Sequence, residues 1–332
     1  MIKKISFVIL AIVFVYGCDG KKEGVLEETR VSNDVHHLIE TVRNGQYDEI
    51  QDAAAKLSQL ATDTKYKSIA EATLLDTLEQ TSLAKDADFQ YILIQILSKY
   101  ESKKVEDILI RFLEMKRPDK FKNSVKEMDW YARLNLIIDI ITDKKIVSTT
   151  PRMIDLLNTE PELVWYTSRA LGIFDRKEAE LAVTKRFVRA SKPKERISLL
   201  FSLCLMKKDY TNNSKRLANA VKGDLETGIA ALEELILKYQ DKKLLECLIG
   251  LSTDGCASEM KCCALAKISV RYPEIILGRK DFRSIETDIL YGVAEDGLQK
   301  EIEKDWRAPE IYAKYKKKID ATLKAIKEGK WE

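Results

Sequence analysis

Residues able to do nucleophilic or acid–base chemistry are scarce in this sequence. Its only histidines, His36 and His37, are adjacent. Neighbouring residues of a helix point about 100° apart, so the two do not face one metal ion, and we expect them on an exposed helix face. No Gly-rich phosphate loop, nucleophile elbow or zinc-protease helix is present. The sequence predicts no catalytic residue, no metal site and no cofactor, and a protein that is not an enzyme. Carboxylates that meet only in the folded chain are the alternative left open.

The six cysteines are the other reactive residues. Cys204 falls on an apolar helix face and is interpreted as a small buried hydrophobe. The remaining candidates cluster at Cys247, Cys256, Cys262 and Cys263. Cys256 follows a turn from which it would reach Cys247 or Cys262, and we expect one disulfide within this cluster if the chain is exported. A zinc site of four thiolates is the alternative, but the cluster lacks CxxC-like spacing.

Export is indicated by the first residues, MIKKISFVILAIVFVYGC. Lys3 and Lys4 form a positive segment, and Ile5 to Tyr16 is an uncharged run of 12 residues. Such a run suits the core of a signal peptide and is too short to span a bilayer as a mature helix.

The end of this leader, Val15-Tyr16-Gly17-Cys18, resembles a bacterial lipobox. The resemblance implies removal of residues 1–17 and acylation of Cys18, and thus a lipid-anchored protein of the bacterial cell envelope. Asp19 resembles an inner-membrane retention signal and slightly favours that membrane over the outer one. An ordinary secretion signal with a chance cysteine is the alternative.

Charge and composition restrict the partners of the mature chain. Lys+Arg 56 against Asp+Glu 53 gives a formal net charge of +3, which falls to +1 when Lys3 and Lys4 leave with the leader. This balance argues against nucleic acid. Residues 18–32 are polar and contain glycine, so they are predicted to form a flexible tether.

The rest of the chain shows helical periodicity with a repeat. Asp143, Asp175, Asp209 and Asp241 lie 32, 34 and 32 residues apart, at predicted corners between helices. Apolar residues recur twelve, nine and five positions before each aspartate, on one helical face. These core columns are Tyr131, Leu163, Ile197 and Ile229; Leu134, Tyr166, Leu200 and Leu232; and Ile138, Ala170, Cys204 and Ile236.

One repeat unit, Ser168 to Ala190, resembles a HEAT repeat of the short kind named for phycobilisome lyases. Arg169, Ala170, Leu171, Gly172 and Ala179 carry the resemblance. It implies an all-α fold, an α-solenoid of HEAT-like helix pairs over residues 33–305 with a partner-binding surface. A tetratricopeptide array and a non-repeating helical bundle are the alternatives.

The last helix is predicted from Ala308 to Lys327, opened by Pro309, and residues 306–332 are interpreted as a C-terminal cap. Its lysine-rich outer face is also compatible with an anionic membrane surface.

Two tryptophans are candidates for a binding face. Trp130 and Trp165 begin successive predicted helices 35 residues apart. Exposed aromatic residues often anchor partners, although such residues also pack between repeats. We therefore expect an envelope lipoprotein that binds another protein of unidentified nature. A carbohydrate- or lipid-binding envelope protein with a groove between repeats is the alternative.

The lipid anchor is testable at one residue. Replacing Cys18→Ala removes the acylated sulfur, so palmitate labelling should disappear and the chain should leave the membrane fraction. Labelling and fractionation of cells that produce the protein measure both effects. Unchanged labelling in the variant contradicts the prediction.

Overall fold

The computed structural model describes residues 19–81, 86–122 and 124–329. These residues form 18 α-helices and no strand, which confirms the predicted all-α class, and neighbouring helices pack in a solenoid-like manner. Contacts divide the chain into two compact units, Met1–Asp143 and Lys144–Glu332, where the sequence predicted one array over residues 33–305.

Unit 1 contains six described helices. In it α1 packs against α2 and α3, α4 packs against α2 and α3, and α6 packs against α4 and α5. Their bounds are α1 Asp19–Asn44, α2 Tyr47–Gln59, α3 Lys67–Gln80, α4 Ala87–Leu97, α5 Lys103–Glu114 and α6 Val125–Asp143.

The predicted tether differs from the structure. Helix α1 begins at Asp19 and continues through residues 19–32 to Asn44. Gly20 and Gly24 each cost a helix about 1 kcal/mol relative to alanine, but neither forbids helical backbone. The helix formers between and after them explain why the segment is helical despite its polarity.

A buried arginine lies between helices of unit 1. The Arg133 guanidinium on α6 is 3% exposed and donates to Gln90 Oε1 at 3.1 Å, while Gln90 donates to Thr81. Its face lies over the Phe112 ring, 5.5 Å from the centroid. Burial lowers the pKa of Arg133 to about 10. This chain of contacts connects α4, α5 and α6.

Unit 2 contains the remaining twelve helices. They are α7 Thr150–Thr159, α8 Val164–Phe174, α9 Lys177–Arg189, α10 Pro193–Leu205, α11 Tyr210–Ala220, α12 Leu225–Tyr239, α13 Lys242–Ile249, α14 Gly255–Arg271, α15 Pro273–Leu277, α16 Phe282–Glu295, α17 Gln299–Trp306 and α18 Pro309–Lys327.

Five of these helices form one layer. Each of α8, α10, α12, α14 and α16, here called the first helices, packs directly against the next, and α9, α11, α13 and α15 pack on their sides. Helices α14 and α16 approach each other closely. A Cβ added to Gly292 on α16 would lie 2.2 Å from the Cys262 carbonyl oxygen on α14. Only glycine permits this approach.

The predicted core columns are largely confirmed by burial. Ten of the twelve residues are buried, and Tyr131 and Tyr166 are half-buried. In α10 the burial is nearly complete, since every residue from Ile197 to Met206 is buried. This helix is therefore enclosed on all sides, which explains why its apolar pattern is less one-sided than that of a surface helix.

The aspartate corners are turns between helices, but the four aspartates have different local roles. Asp143 ends α6, and Asp175 caps the end of α8 with a left-handed φ of 47°. Asp209 precedes α11 at φ 40°, and the Asp241 side chain accepts from the first backbone amides of α13. Aspartates at equivalent positions of the repeat therefore do not share one backbone conformation.

Aromatic side chains connect successive first helices through hydrogen bonds. The Tyr239 hydroxyl at the end of α12 donates to the Leu205 carbonyl at the end of α10, at 2.9 Å. Tyr272 after α14 donates in the same way to Leu237 on α12. The Trp306 indole donates to Ser269 on α14 at 3.0 Å. Each bond satisfies a carbonyl near a helix end that has no partner within its own helix.

The C-terminal helix α18 begins at Pro309 and ends at Lys327, close to the predicted bounds. It packs against α15, α16 and α17. The Lys318 ammonium donates to the Leu277 carbonyl at 2.6 Å, at the end of α15. This helix covers the end of unit 2, as expected of a cap.

The hydrogen bonds of Tyr239 and Tyr272 contribute measurably to the stability of the fold. Tyr239→Phe and Tyr272→Phe keep the rings but remove the donors, so each should lower the free energy of unfolding by about 1 kcal/mol. Urea unfolding of unit 2 followed by circular dichroism measures the change. Tyr291→Phe on α16, where the hydroxyl has no such bond, is the matched control and should be neutral. Equal effects of all three variants contradict the prediction.

Candidate functional site

Two lysines of unit 2 lie over one tyrosine ring, and a third lysine lies near one of them. Lys207 and Lys238 place their ammonium groups 5.4 and 5.5 Å from the centroid of the Tyr239 ring. Lys145 lies close enough to act on Lys238 electrostatically. Tyr210 packs edge-on against Tyr239, with centroids 5.3 Å apart. These five residues are called the lysine–tyrosine surface.

Local backbone conformation holds these residues at the surface. Lys145 and Lys207 have left-handed φ values of 52° and 56°, and Gln240, directly after Tyr239, has φ 54°. Left-handed residues end a helix and reverse the chain, so each corner projects its side chain outward. All three lysines are exposed, and none of them forms an ion pair within the described part of the chain.

The cations of this surface repel one another. Partial burial lowers the pKa of Lys238. The Glu234 carboxylate, which is the largest charge effect on Lys238, opposes this, and the charges of Lys145, Lys207 and Arg169 add to the lowering. Glu234 is itself paired with Arg169, at 2.8 Å. Like charges this close favour a bound anion, which would remove the repulsion.

An open groove of about 360 Å³ adjoins Tyr210, between the starts of α11 and α13. Lys215, Lys242 and Lys243 line it together with the hydroxyl-bearing Thr211 and Ser214. The Tyr210 hydroxyl donates to Asp241 at 2.9 Å, and burial followed by this bond raises the pKa of Tyr210. Tyr210 therefore stays neutral, and the groove continues the basic character of the lysine–tyrosine surface.

A second polar arrangement lies on the first helices. Lys267 on α14 lies 3.6 Å from the Glu233 carboxylate on α12 and 3.4 Å from Asp296 after α16. Burial raises the pKa of Glu233, and the Lys267 charge opposes the rise. One lysine thus forms ion pairs with two carboxylates, and the trio connects α12, α14 and the end of α16.

The four clustered cysteines are not brought together as a disulfide. All five cysteines in the described residues are free thiols. The Cys247 thiol faces α11, where it contacts the Ala218 carbonyl at 3.7 Å, whereas Cys256 is exposed at the start of α14. Cys262 and Cys263 are neighbours in one helix and face different sides, buried and half-buried. Cys18 lies outside the described residues.

The tryptophans do not form an exposed pair. Trp130 is 1% exposed, so its interpretation as a binding-face residue is wrong. Its ring packs edge-on against the ring of Tyr131. Helix α6 begins five residues before Trp130, so Trp130 lies within the helix rather than at its start. Trp165 is half-buried and stacks on Phe201 with centroids 4.9 Å apart. Its ring packs between α8 and α10.

Other candidate residues carry no assembled chemistry. His36 and His37 are exposed on α1, and the His36 ring contacts the Ser32 carbonyl at 2.7 Å. Within the described ranges, no group of three or more His, Cys, Asp and Glu residues is arranged to hold a metal ion. Among the same residues, no helix has both the length and the apolar character required to span a bilayer.

Comparison with protein-family models, curated proteins and solved structures finds no match to this chain.

The sequence indicated the corners but not the lysine–tyrosine surface. The sequence predicts only that the four aspartates mark corners between helices. The available signal was that basic residues follow the corner aspartates or precede them, and that Tyr239 and Tyr272 end consecutive first helices. Lys145 follows its corner aspartate, whereas Lys207 and Lys238 precede theirs, so their positions in the repeat differ and their proximity requires the stacking of the helices.

Thiol accessibility distinguishes the cysteines. Cys256 should be alkylated first in the native chain, because it is exposed, whereas Cys204 and Cys262 should react only after unfolding. Burial raises the pKa of Cys204 to about 12 and that of Cys262 to about 11, which removes the reactive thiolate at neutral pH. Iodoacetamide labelling followed by peptide mass spectrometry measures the order.

The same experiment tests the disulfide. Unfolding without reductant exposes every thiol, so a disulfide in the cluster lowers the count by two relative to the reduced sample. Early labelling of Cys204 would contradict its placement in the core.

Proposed function

We propose that this protein is a lipid-anchored scaffold of the bacterial cell envelope whose second unit binds an acidic segment of another protein. The observation that carries the proposal is the placement of Lys207 and Lys238 over the Tyr239 ring, with Lys145 close enough to act on Lys238. A repeated helical array supports a scaffold, because stacked units present an extended surface.

The chemistry of this surface favours carboxylates. Three exposed ammonium groups with no ion-pair partners in the described structure attract a partner that supplies several acidic groups. Tyr239 adds a rigid ring of the type enriched at protein interfaces. The lysine–tyrosine surface is small and the chain is nearly neutral. Both features suit an acidic peptide segment better than a nucleic-acid backbone.

The anchor completes the proposal. Acylation of Cys18 would hold the chain at a membrane, and the HEAT-like character of the unit around Ser168–Ala190 supports a binding role for the array. Carbohydrate or lipid binding between repeats is not proposed, because the two tryptophans that suggested it are packed inside or between helices.

Charge reversal tests the interface. The full chain carrying Lys145→Glu, Lys207→Glu and Lys238→Glu should lose about tenfold or more of its partner cross-linking, since each exposed pair contributes up to about 1 kcal/mol. Cross-linking of envelope membranes, affinity purification and quantitative mass spectrometry measure the yield of a stoichiometric partner. Higher salt should weaken the wild-type interaction.

The matched control carries Lys185→Glu, Lys194→Glu and Lys222→Glu, three exposed lysines elsewhere in unit 2. It has the same net charge and should retain the partner. Loss of the partner in both variants, or in neither, contradicts the assignment of the surface, and repeated absence of any partner with folded wild-type protein contradicts the scaffold.

A further inference from the structure

One segment of unit 1 exposes apolar side chains beside lysines. It runs between α5 and α6, from residue 115 to residue 128. Met115, Val125 and Met128 are 44%, 74% and 71% exposed, the last two on the first turn of α6. Lys116, Lys122 and Lys126 are exposed and have no ion pair among the described residues. These six residues are called the basic–apolar surface.

The segment is held in place by contacts that do not involve this surface. Arg117 forms an ion pair with Glu127 and donates to the Tyr131 hydroxyl at 2.8 Å, which fixes the segment to α6. Phe121 is buried, with only 4% of its surface exposed. The exposed side chains therefore belong to no core, and their exposure follows from a specific fold of the segment.

The charge of the segment is one-sided. Arg117 neutralises Glu127, so Asp119 is the remaining acidic residue between Met115 and Met128. Among the described residues within these bounds, three lysines of the surface and one unpaired carboxylate remain, and Glu114 and Asp129 flank the segment.

We propose that the basic–apolar surface contacts the anionic surface of a lipid bilayer. Apolar side chains next to lysines are the combination that lies in the interfacial region, with apolar groups at the acyl boundary and ammonium groups among the phosphates. Anionic lipids attract such lysines. Val125 and Met128 protrude from a helix turn instead of lining a groove. A bilayer accepts protruding side chains, whereas a protein must present matching pockets.

This contact is independent of the acyl chain and of the protein partner proposed above. Residues 19–332 retain every described residue and lack the apolar run Ile5–Tyr16, so their binding to vesicles does not depend on the leader or on the acyl chain. They should cosediment with vesicles of mixed phosphatidylglycerol and phosphatidylcholine, and not with phosphatidylcholine vesicles. Each lysine should contribute about fivefold to the partition coefficient.

Two double variants separate the components of binding. Lys122→Glu with Lys126→Glu should lower the partition coefficient about 25-fold or more, from two lysine contributions. Val125→Ser with Met128→Ser should also lower it, through lost apolar insertion. Neither should unfold the chain, because all four side chains are exposed. Circular dichroism and thermal unfolding check this.

Matched controls lie on α9 and at the start of α10. Leu181→Ser with Val188→Ser changes two exposed apolar residues, and Lys185→Glu with Lys194→Glu changes two exposed lysines. Both controls should bind vesicles as the wild type does. Absence of binding to anionic vesicles, wild-type binding by both surface variants, or equal losses in the controls would overturn the proposal. Failure here leaves the partner-binding test unaffected, because that test uses residues of unit 2.

Discussion

Satisfaction of the carbonyl groups at helix ends is the constraint on which unit 2 depends. Each helix leaves its last carbonyls without partners in its own turn, and a chain of many short helices has many such ends. Tyr239, Tyr272 and Trp306 solve the problem with side chains from the following part of the stack. Because the donor of one helix serves the end of the previous one, the bond also sets the spacing between successive first helices.

This arrangement leaves the corners free to differ. The aromatic hydrogen bonds and the buried columns hold the stack, so the residues of the turns need only adopt a conformation that reverses the chain. Asp175, Lys207 and Gln240 all do so with left-handed backbone, although their side chains have different charges. Corner chemistry is therefore separable from stability, and this is why a basic surface accumulates there without disturbing the core.

The elements of the fold were largely predictable from periodicity, whereas the surfaces were not. The core columns and helix α18 follow from apolar spacing, which burial enforces locally. The helix at residues 19–32 was missed because its polar residues lack an apolar face. The sequence placed Trp130 at the start of a helix. That helix begins five residues earlier, which is more than a full turn, so the predicted position of Trp130 was wrong.

A nearly neutral chain can still carry strongly basic surfaces. The net charge counts carboxylates that already form ion pairs, such as Glu234 with Arg169 and Glu127 with Arg117. Pairing removes these carboxylates from the field that an approaching partner experiences, while lysines without partners remain. The folded chain thus presents more positive character at particular places than its composition indicates. Which charges are paired is a property that exists only after the helices have stacked.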